Sequence, residues 1–133
     1  MRIYLAGPWF SEEQNELYDR VLSALKENKE NELFVPREDV IEKDASLERR
    51  QEMFRKNVSE ILDCDKVLAI CQYPDVGTAF EIGYAFANNK QIDLYFENDR
   101  PFNVMLAACS KNIIKSIDDL KSNTYSVITS EVY

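Results

Sequence analysis

The chain has 133 residues and a net charge of −8, values that suit one acidic domain, residues 1–133, and exclude two typical domains. This charge disfavours a polyanionic nucleic acid as partner and suits a small neutral ligand better. Because no apolar run approaches the roughly 20 residues that cross a bilayer, and the N-terminus lacks the features of a secretory signal, we expect a cytoplasmic protein without a membrane partner.

Strands and helices alternate along the chain. Arg2–Ala6 is predicted as a strand that stops at Gly7, and Ser11 with Gln14 forms a capping box for the first helix. The other predicted elements are a strand at 33–35, a helix at 46–62, a strand at 67–71, a helix at 78–88, a strand at 92–96, a helix at 104–109, a strand at 113–114 and a helix at 118–121. This order predicts an α/β fold, a doubly wound sheet of about five mostly parallel strands with helices on both faces.

Two of these elements carry more specific expectations. The period of two in 92–96 places that strand nearer the sheet edge. The helix at 46–62 places five apolar side chains near one face that we expect to be buried, namely Leu47, Phe54, Val58, Ile61 and Leu62.

The residue types that are missing limit the chemistry. There is no histidine, which removes the commonest general base and the commonest transition-metal ligand. Cys64, Cys71 and Cys109 form no CxxC pair, so we expect buried thiols and no disulfide framework. No glycine-rich loop for phosphates is present. We expect neither metal nor cofactor, and catalysis by carboxylates, tyrosines or amides.

The best candidate site follows the predicted strand at 67–71. Asp75 and Glu81 are two carboxylates at the predicted start of one helix, beside Gly77. The positive helix end favours an ionised nucleophile, so the pKa of Glu81 need not be raised, and Asp75 could hold a leaving group or supply its proton. The structural alternative is that Thr78 and Glu81 form a capping box while Asp75 accepts backbone amides.

Other candidates surround this site, each with a structural alternative. Gly7 and Gly77 could let the backbone approach a ligand, whereas Gly83, inside a helix, suits close helix packing. Aromatic rings near the first turn could stack a planar base or simply fill the core. Near residue 104, an amide and a thioether could line a ligand site; alternatively, the amide caps a helix and the thioether fills the core. These side chains are Tyr4, Trp9, Phe10, Asn103 and Met105.

Three segments taken together resemble the nucleoside 2-deoxyribosyltransferase family. They are Ile3-Tyr4-Leu5-Ala6-Gly7-Pro8-Trp9-Phe10, the block from Asp75 to Ala85 (DVGTAFEIGYA) and Asn103-Val104-Met105, and the final Tyr133 is similar to the family's ending. The DxGTxxExGxA block is the most specific of them.

The resemblance implies a flavodoxin-like sheet in a homo-oligomer built from dimers, commonly a hexamer, with active sites shared between subunits. It implies that Glu81 is the nucleophile at the anomeric carbon, that Tyr4 orients it, and that Asp75 binds and protonates the base. Asn103 and the Tyr133 carboxylate would reach the sugar. The expected substrates are 2'-deoxyribonucleosides and free purine or pyrimidine bases, exchanged through a covalent intermediate without a cofactor.

One departure from the family concerns the base. Several members carry an aspartate where this chain has Asn57, and an amide cannot donate a carboxylic proton. Arg37 is the nearby cation that a phosphorylated substrate would need. An N-glycosidase that uses water as acceptor, a noncatalytic nucleoside-binding module and an unrelated α/β enzyme remain alternatives.

Overall fold

The fold is described here from a computed structural model, which covers residues 1–97 and 103–123. Its strands are β1 (Arg2–Ala6), β2 (Glu32–Phe34), β3 (Lys66–Ile70), β4 (Gln91–Tyr95) and β5 (Asn112–Ile114). Its helices are α1 (Glu12–Lys26), α2 (Leu47–Asp63), α3 (Val76–Ala87), α4 (Val104–Cys109) and α5 (Ile117–Ser122), with one 3-10 turn at Pro36–Glu38. None of the helices in these ranges is long and apolar enough to cross a membrane.

The five strands form one sheet in the order β2-β1-β3-β4-β5, and every neighbouring pair is parallel. The predicted α/β class and doubly wound sheet are therefore confirmed. The chain moves from β1 outward to β2, returns to β3 on the other side of β1, and then continues to β5. This reversal creates a switch point between the carboxyl ends of β1 and β3, where doubly wound folds bind ligands.

Two apolar layers cover the two faces of the sheet. One layer packs α1 and Leu120 of α5 against Leu5, Leu68 and Tyr95. The other packs Ile61 of α2 and Ile82 of α3 against alternate strand positions such as Tyr4, Val67 and Leu94. Because successive side chains of a strand point to opposite faces, buried strands carry apolar residues at almost every position.

The predicted capping box starts the first helix. The Ser11 hydroxyl accepts the backbone N–H of Gln14 at 3.1 Å, and the Gln14 side chain accepts the backbone N–H groups of Ser11 at 3.2 Å and Phe10 at 2.8 Å. These contacts satisfy donors that a helix start leaves unpaired. They also fix the path of the loop that joins β1 to α1.

The expected burial of one whole face of α2 is wrong. Ile61 is buried and Val58 is half-buried, but Leu47, Phe54 and Leu62 are exposed. The helix packs on β1 and α3 through a narrow strip, so apolar spacing overestimates the width of the contact.

Strand β4 is the next-to-last strand of the sheet, so it lies near one edge, as expected, without forming that edge. Strand β5 lies outside it, and Ile92 to Tyr95 are all buried. The polar residue that produces the period of two, Asp93, is fully buried and accepts hydrogen bonds from Lys66 at 2.9 Å, Asn112 at 2.8 Å and Gln91 at 3.1 Å. A satisfied polar network inside the sheet therefore imitates the pattern of a solvent-facing strand.

Helix α3 presents an apolar face to the outside. Val76 is 88% exposed, Phe80 and Phe86 are about half exposed, and no atom would lie within 4 Å of a Cβ built at Gly83. The expectation that Gly83 serves close helix packing is therefore wrong within the described chain. Glu81 is the one charged residue of α3, and it is half-buried. We call Val76, Phe80, Gly83 and Phe86 the outward face of α3.

Candidate active site

The switch point is built around Gly7. A Cβ at this position would lie 2.9 Å from the Cβ of Ile70, and the φ of +156° is one that other residues rarely adopt. Gly7 therefore lets the chain leave β1 directly against the end of β3. Close packing on Ile70 already requires a glycine here, and the approach of a ligand to Gly7 stays a prediction.

Gly77 has no such structural requirement. A Cβ at this position would meet the carboxylate of Asp75 at 3.5 Å, an ordinary contact, and the residue is exposed in the first turn of α3. The described chain therefore leaves room for a side chain at Gly77, and a role in admitting a ligand stays a prediction.

Three buried polar atoms on the α2 and α3 side of the sheet have no hydrogen-bond partner among the described residues. They are the Tyr4 hydroxyl oxygen, Glu81 Oε2 and Asn57 Oδ1. They come from β1, α3 and α2, so the fold gathers them from three distant parts of the chain. Buried polar atoms are normally paired in proteins. Each of these unpaired atoms could accept a hydrogen bond from a polar ligand, and Tyr4 and Glu81 are close enough to affect each other's pKa.

Glu81 lies deeper in its helix than the sequence predicted. Helix α3 begins at Val76 with Asp75 as N-cap, so Glu81 occupies the second turn and Thr78 cannot cap. The expected unperturbed carboxyl is also wrong. Burial raises the pKa of Glu81 to about 7, the hydroxyl of Tyr4 opposes this rise, and the charge of Asp75 adds to it. A buried carboxylate loses hydration that its neighbours replace only in part.

Tyr4 and Glu81 are neighbours without a completed hydrogen bond between them. The pKa of the Tyr4 phenol is raised by burial and further by the negative charge of Glu81. Neither the Tyr4 hydroxyl nor Glu81 Oε2 meets the geometry of a hydrogen bond with a described residue. The ring of Tyr4 is fixed by stacking on Phe34, with centroids 5.4 Å apart. The pair is thus positioned but open to a third group.

Asp75 starts helix α3. Its Oδ2 accepts the backbone N–H of Thr78 at 2.9 Å and the Thr78 hydroxyl at 2.6 Å. The structural alternative raised from the sequence is therefore present for Asp75. Oδ1 takes no part in these two bonds, and Asp75 also lines a cavity, so capping leaves one oxygen able to face a ligand.

A cavity of about 650 Å³ opens between α3 and α4. It brings together Asp75 and Asn103, but Tyr4, Glu81 and Asn57 do not line it. The candidate residues therefore do not all line one cavity in the described chain. Asp75 nevertheless lies near enough to Glu81 for its charge to raise the pKa of that carboxyl. The lining is mostly apolar and includes Cys71, Tyr73, Val76, Ala79, Phe96 and Leu106.

The remaining candidates lie around this centre. Trp9 is half-buried and packs edge-on against Tyr18, whereas Phe10 is 73% exposed. Asn103 caps α4 by accepting the N–H groups of Met105 and Leu106. Met105 is 74% exposed, so the structural alternative of core filling does not hold within the described chain, and its contact with a ligand stays a prediction.

Two further expectations concern Tyr133 and metal ions. Tyr133 lies outside the described residues. Among residues 1–97 and 103–123, no group of three acidic, cysteine or histidine side chains is arranged to hold a metal ion.

Sequence reasoning missed Tyr18. This residue is fully buried, donates its hydroxyl to the Leu5 carbonyl at 2.9 Å, and lies near enough to Glu81 for that carboxylate to raise its pKa, although burial contributes most to the shift. The guanidinium of Arg37 lies 4.4 Å from the Tyr18 ring centroid and binds Asp19 at 2.6 Å. Nothing in the helical spacing of Tyr18 separates it from an ordinary core residue.

The fold and this site define a doubly wound α/β enzyme with a carboxylate at its switch point. The chain belongs to the nucleoside 2-deoxyribosyltransferase family, whose model matches residues 3–122, and the enzymes of this family are pentosyltransferases. It is 28% identical over 137 aligned positions to a nucleoside deoxyribosyltransferase of Lactobacillus leichmannii, across 85% of this chain and 83% of that protein.

Solved structures agree with this assignment. The chain resembles a 2-deoxyribosyltransferase of Bacillus psychrosaccharolyticus, with 26% identity, a TM-score of 0.83, and coverage of 91% of this chain and 90% of the other. A CMP N-glycosidase of Clostridium botulinum shares the fold, with 18% identity, a TM-score of 0.63, and coverage of 92% and 97%.

Proposed function

We propose that the protein exchanges nucleobases on 2'-deoxyribonucleosides through a covalent intermediate on Glu81, as a step of nucleoside salvage. The observation that carries this proposal is the set of three buried, unpartnered polar atoms on Tyr4, Glu81 and Asn57. They supply a nucleophile, a group that orients it and an amide, beside a switch point. Membership of the family gives the expected substrate class.

The reaction proceeds in two displacements. The ionised carboxylate of Glu81 attacks the anomeric carbon, and the glycosidic bond breaks as the departing base takes the electron pair and a proton from Asp75. A second base then attacks the same carbon, which releases Glu81 and returns a proton to Asp75. Two inversions retain the β configuration. No cofactor takes part, because each step needs only a nucleophile and a proton carrier.

Tyr4 positions the nucleophile. Its ring is held against Phe34, and its buried hydroxyl can donate to Glu81 once a ligand draws the carboxylate into place. A donor to the ionised form of Glu81 counteracts the cost of burying that charge. Trp9 and Phe10 supply rings for stacking a base, and the half-exposed position of Trp9 suits that role.

A second copy of the chain completes the site in our proposal. Asn103 and Met105 are exposed, and Asn103 lines a cavity together with Val76 of the outward face of α3. From there these two residues and the C-terminal Tyr133 of one subunit would contact the sugar bound in a neighbouring subunit. The apolar outward face of α3 supports a homo-oligomer, because this chain is otherwise rich in charge. A hexamer built from dimers is the assembly that the family suggests.

Shared sites have a direct test. Glu81→Ala and Asn103→Ala should each be inactive alone if both residues act at the same site. When the two variants are unfolded together and refolded as mixed oligomers, some sites pair an intact Glu81 with an intact Asn103 and regain activity. Failure to regain activity in demonstrably mixed oligomers would contradict sharing.

The substrates that we propose are nucleosides without a phosphate. Arg37, the cation that a phosphate would need, is already bound to Asp19 at 2.6 Å and Asn15 at 2.9 Å. The strong negative charge of the chain also disfavours a dianion. We place the activity in the cytoplasm, where the three thiols, all free, stay reduced.

The test is chromatography of purified protein with deoxyuridine and adenine, with matched reactions that lack adenine. We expect deoxyadenosine and uracil from the wild type and neither from Glu81→Ala. Free uracil without deoxyadenosine would instead establish the hydrolase. Binding of deoxyuridine without any product, unchanged in Glu81→Gln, would establish a noncatalytic module and overturn the proposal.

A further inference from the structure

We propose that Arg37 is a positioning residue, which holds the ring of Tyr18 and through it the ring of Trp9 in the orientation that stacks a nucleobase. The inference rests on the base exchange proposed above and adds a residue that acts on base binding from a distance. The sequence marks Arg37 as the cation that a phosphorylated substrate would need, but in the structure its guanidinium binds helix α1. Its contacts there lead to the aromatic side of the site.

One face of helix α1 receives the guanidinium of Arg37. Tyr18 and Asp19 follow Asn15 by three and four residues, so the three side chains share that face. Arg37 Nη1 donates to Asn15 Oδ1 at 2.9 Å, and Nη2 donates to Asp19 Oδ1 at 2.6 Å. The Arg37 Cζ atom lies 4.4 Å from the centroid of the Tyr18 ring, within the range of a cation–π contact. The two hydrogen bonds therefore orient a planar guanidinium over the ring.

The ring of Tyr18 is also held by the fold. It is fully buried, and its hydroxyl donates to the carbonyl of Leu5 in β1 at 2.9 Å. The ring of Trp9 meets it edge-on, with centroids 6.1 Å apart and planes at 83°. Trp9 also contacts the ring of Phe10 with centroids 5.2 Å apart, but Phe10 is 73% exposed and gives little support. Tyr18 is therefore the buried ring against which the half-buried Trp9 is fixed.

This chain of contacts lies close to the reacting groups. Burial raises the pKa of the Tyr18 phenol most, the cation of Arg37 lowers it, and the charge of Glu81 raises it. Tyr18 therefore lies between the cation and the proposed nucleophile. Trp9 comes two residues after Gly7, beside the switch point at the carboxyl end of β1. The contacts that begin at Arg37 thus end at the ring that stacks the base in our proposal.

An aromatic ring that is fixed before the base arrives lowers the cost of binding. A mobile ring loses rotational freedom when a base stacks on it, whereas a ring held by packing has lost that freedom on folding. Without the guanidinium, Tyr18 and Trp9 should move more freely, and the base should bind more weakly. The same stacking is present in the bound state and in the transition state, so the loss should appear in KM and leave kcat in place.

Trp9 reports its own motion, because it is the one tryptophan among the 133 residues. Time-resolved fluorescence anisotropy, excited where tyrosine does not absorb, measures how freely its ring moves. Arg37→Met removes the cation and both hydrogen bonds but keeps an unbranched side chain. In this variant we expect the subnanosecond component to grow at least about twofold in amplitude. The matched control Arg55→Met removes an exposed arginine from α2 and should leave the component unchanged.

Steady-state kinetics measures the consequence for the base. With deoxyuridine at saturation, KM for adenine should rise about two- to fivefold in Arg37→Met, the range that one cation–π contact allows. We expect kcat to stay within about twofold of the wild type. Asp19→Ala removes the carboxylate that orients the guanidinium and should change ring motion and KM in the same direction, to a smaller extent. This position is exposed, so the variant tests the inference even if Arg37→Met does not fold.

Each outcome has one interpretation. Unchanged motion of Trp9 in Arg37→Met overturns the inference, because Arg37 then does not hold the ring. Freer motion at an unchanged KM also overturns it, since the orientation of the ring would not serve base binding, and so does a fall in kcat at a constant KM. Absence of any exchange in the wild type overturns the proposed function. That failure is distinguishable, because the anisotropy of the free protein is measured without substrate.

Discussion

Glu81 is a carboxylate whose surroundings oppose its ionisation, although the proposed reaction requires it ionised. Because its pKa is about 7 and kcat/KM reports groups of the free enzyme, kcat/KM for exchange should rise with pH and level off above about 7. At pH 6 we expect about a tenth of the plateau, since ionisation falls tenfold per pH unit. Initial rates between pH 5 and 9 measure this profile.

A variant of Tyr4 ties this profile to Glu81. Its hydroxyl lowers the pKa of Glu81, so Tyr4→Phe should move the inflection to higher pH. Tyr84→Phe, which removes a hydroxyl from the helix that carries Glu81, serves as the control and should leave the inflection in place. A profile that is flat from pH 5.5 to 8 would exclude Glu81 as the group whose ionisation limits the reaction.

The same burial has a cost for stability. In the folded chain the pKa of Glu81 is raised from about 4.5 to about 7, so the protonated form is the one that the fold favours. Its contribution to stability is complete below about pH 4.5 and is lost as pH rises toward 7. Glu81→Gln removes this loss and should raise the free energy of unfolding at pH 8 by roughly 1 to 3 kcal/mol, with little gain at pH 4.5.

Urea denaturation at the two pH values measures that difference. Glu52→Gln, which changes an exposed carboxylate on α2, is the control and should show no comparable dependence on pH. An equal effect of Glu81→Gln at both pH values would show that its carboxylate is not held in an unfavourable environment.

The sequence could indicate candidate site residues at this scale but not their environment. The motif around Asp75 and Glu81 predicted a candidate site after the strand at 67–71, with Tyr4 added because it lies beside the turn that ends the first strand. It could not predict the raised pKa, since the burial of Glu81 comes from tertiary packing that the motif does not encode. Gly7 was singled out, yet its neighbour Ile70 is distant in sequence, so the reason for the glycine became visible only in the fold.

Helix α3 combines capping and chemistry in Asp75, and two variants separate these roles. Asparagine caps a helix about as well as aspartate, so Asp75→Asn should fold nearly as stably as the wild type, whereas Asp75→Ala should lose about 1 kcal/mol. If Asp75 carries the proton of the base, Asp75→Asn should still lose at least about a hundredfold in kcat.

The pH profile of Asp75→Asn gives an independent check. The negative charge of Asp75 adds to the raised pKa of Glu81, so its removal should move the inflection of residual activity to lower pH. Stability is followed by urea denaturation and exchange by chromatography. Exchange at nearly the wild-type rate in Asp75→Asn would leave Asp75 with the cap alone.

Elements were predicted well where local patterns decide them and poorly where tertiary contacts do. Capping residues Ser11 and Ser46 mark helix starts in the sequence as in the fold. For α3 the sequence suggested a start at 78, because Thr78 with Glu81 imitates a capping box, while Asp75 is the residue that caps. The period of two in β4 comes from Asp93, which is buried and accepts hydrogen bonds from Lys66 and Asn112, and single-strand periodicity cannot reveal those partners.

At the scale of the whole molecule, an acidic surface contrasts with one apolar helix face. Nearly a third of the residues are charged, yet the outward face of α3 carries none, and its Gly83 faces open space. Exposed apolar patches on an otherwise charged surface often mark interfaces, so the packing of α3 is left incomplete in a single chain. A second copy of the chain would complete it.

Gly83→Arg tests this assembly because it should have opposite effects in a monomer and in an oligomer. In a single chain there is space for the new side chain, and arginine favours a helix over glycine by about 0.8 to 1 kcal/mol, so a monomer would gain stability. In an oligomer packed through α3, a long charged side chain would separate the copies.

We expect sedimentation to give a multiple of 15.5 kDa for the wild type and for Ser23→Arg, a control on the α1 side of the sheet, but a monomer for Gly83→Arg. Exchange should disappear with the assembly, because Asn103 then reaches no neighbouring site. An active oligomer of unchanged mass in Gly83→Arg would show that the outward face of α3 is free and that the copies meet elsewhere.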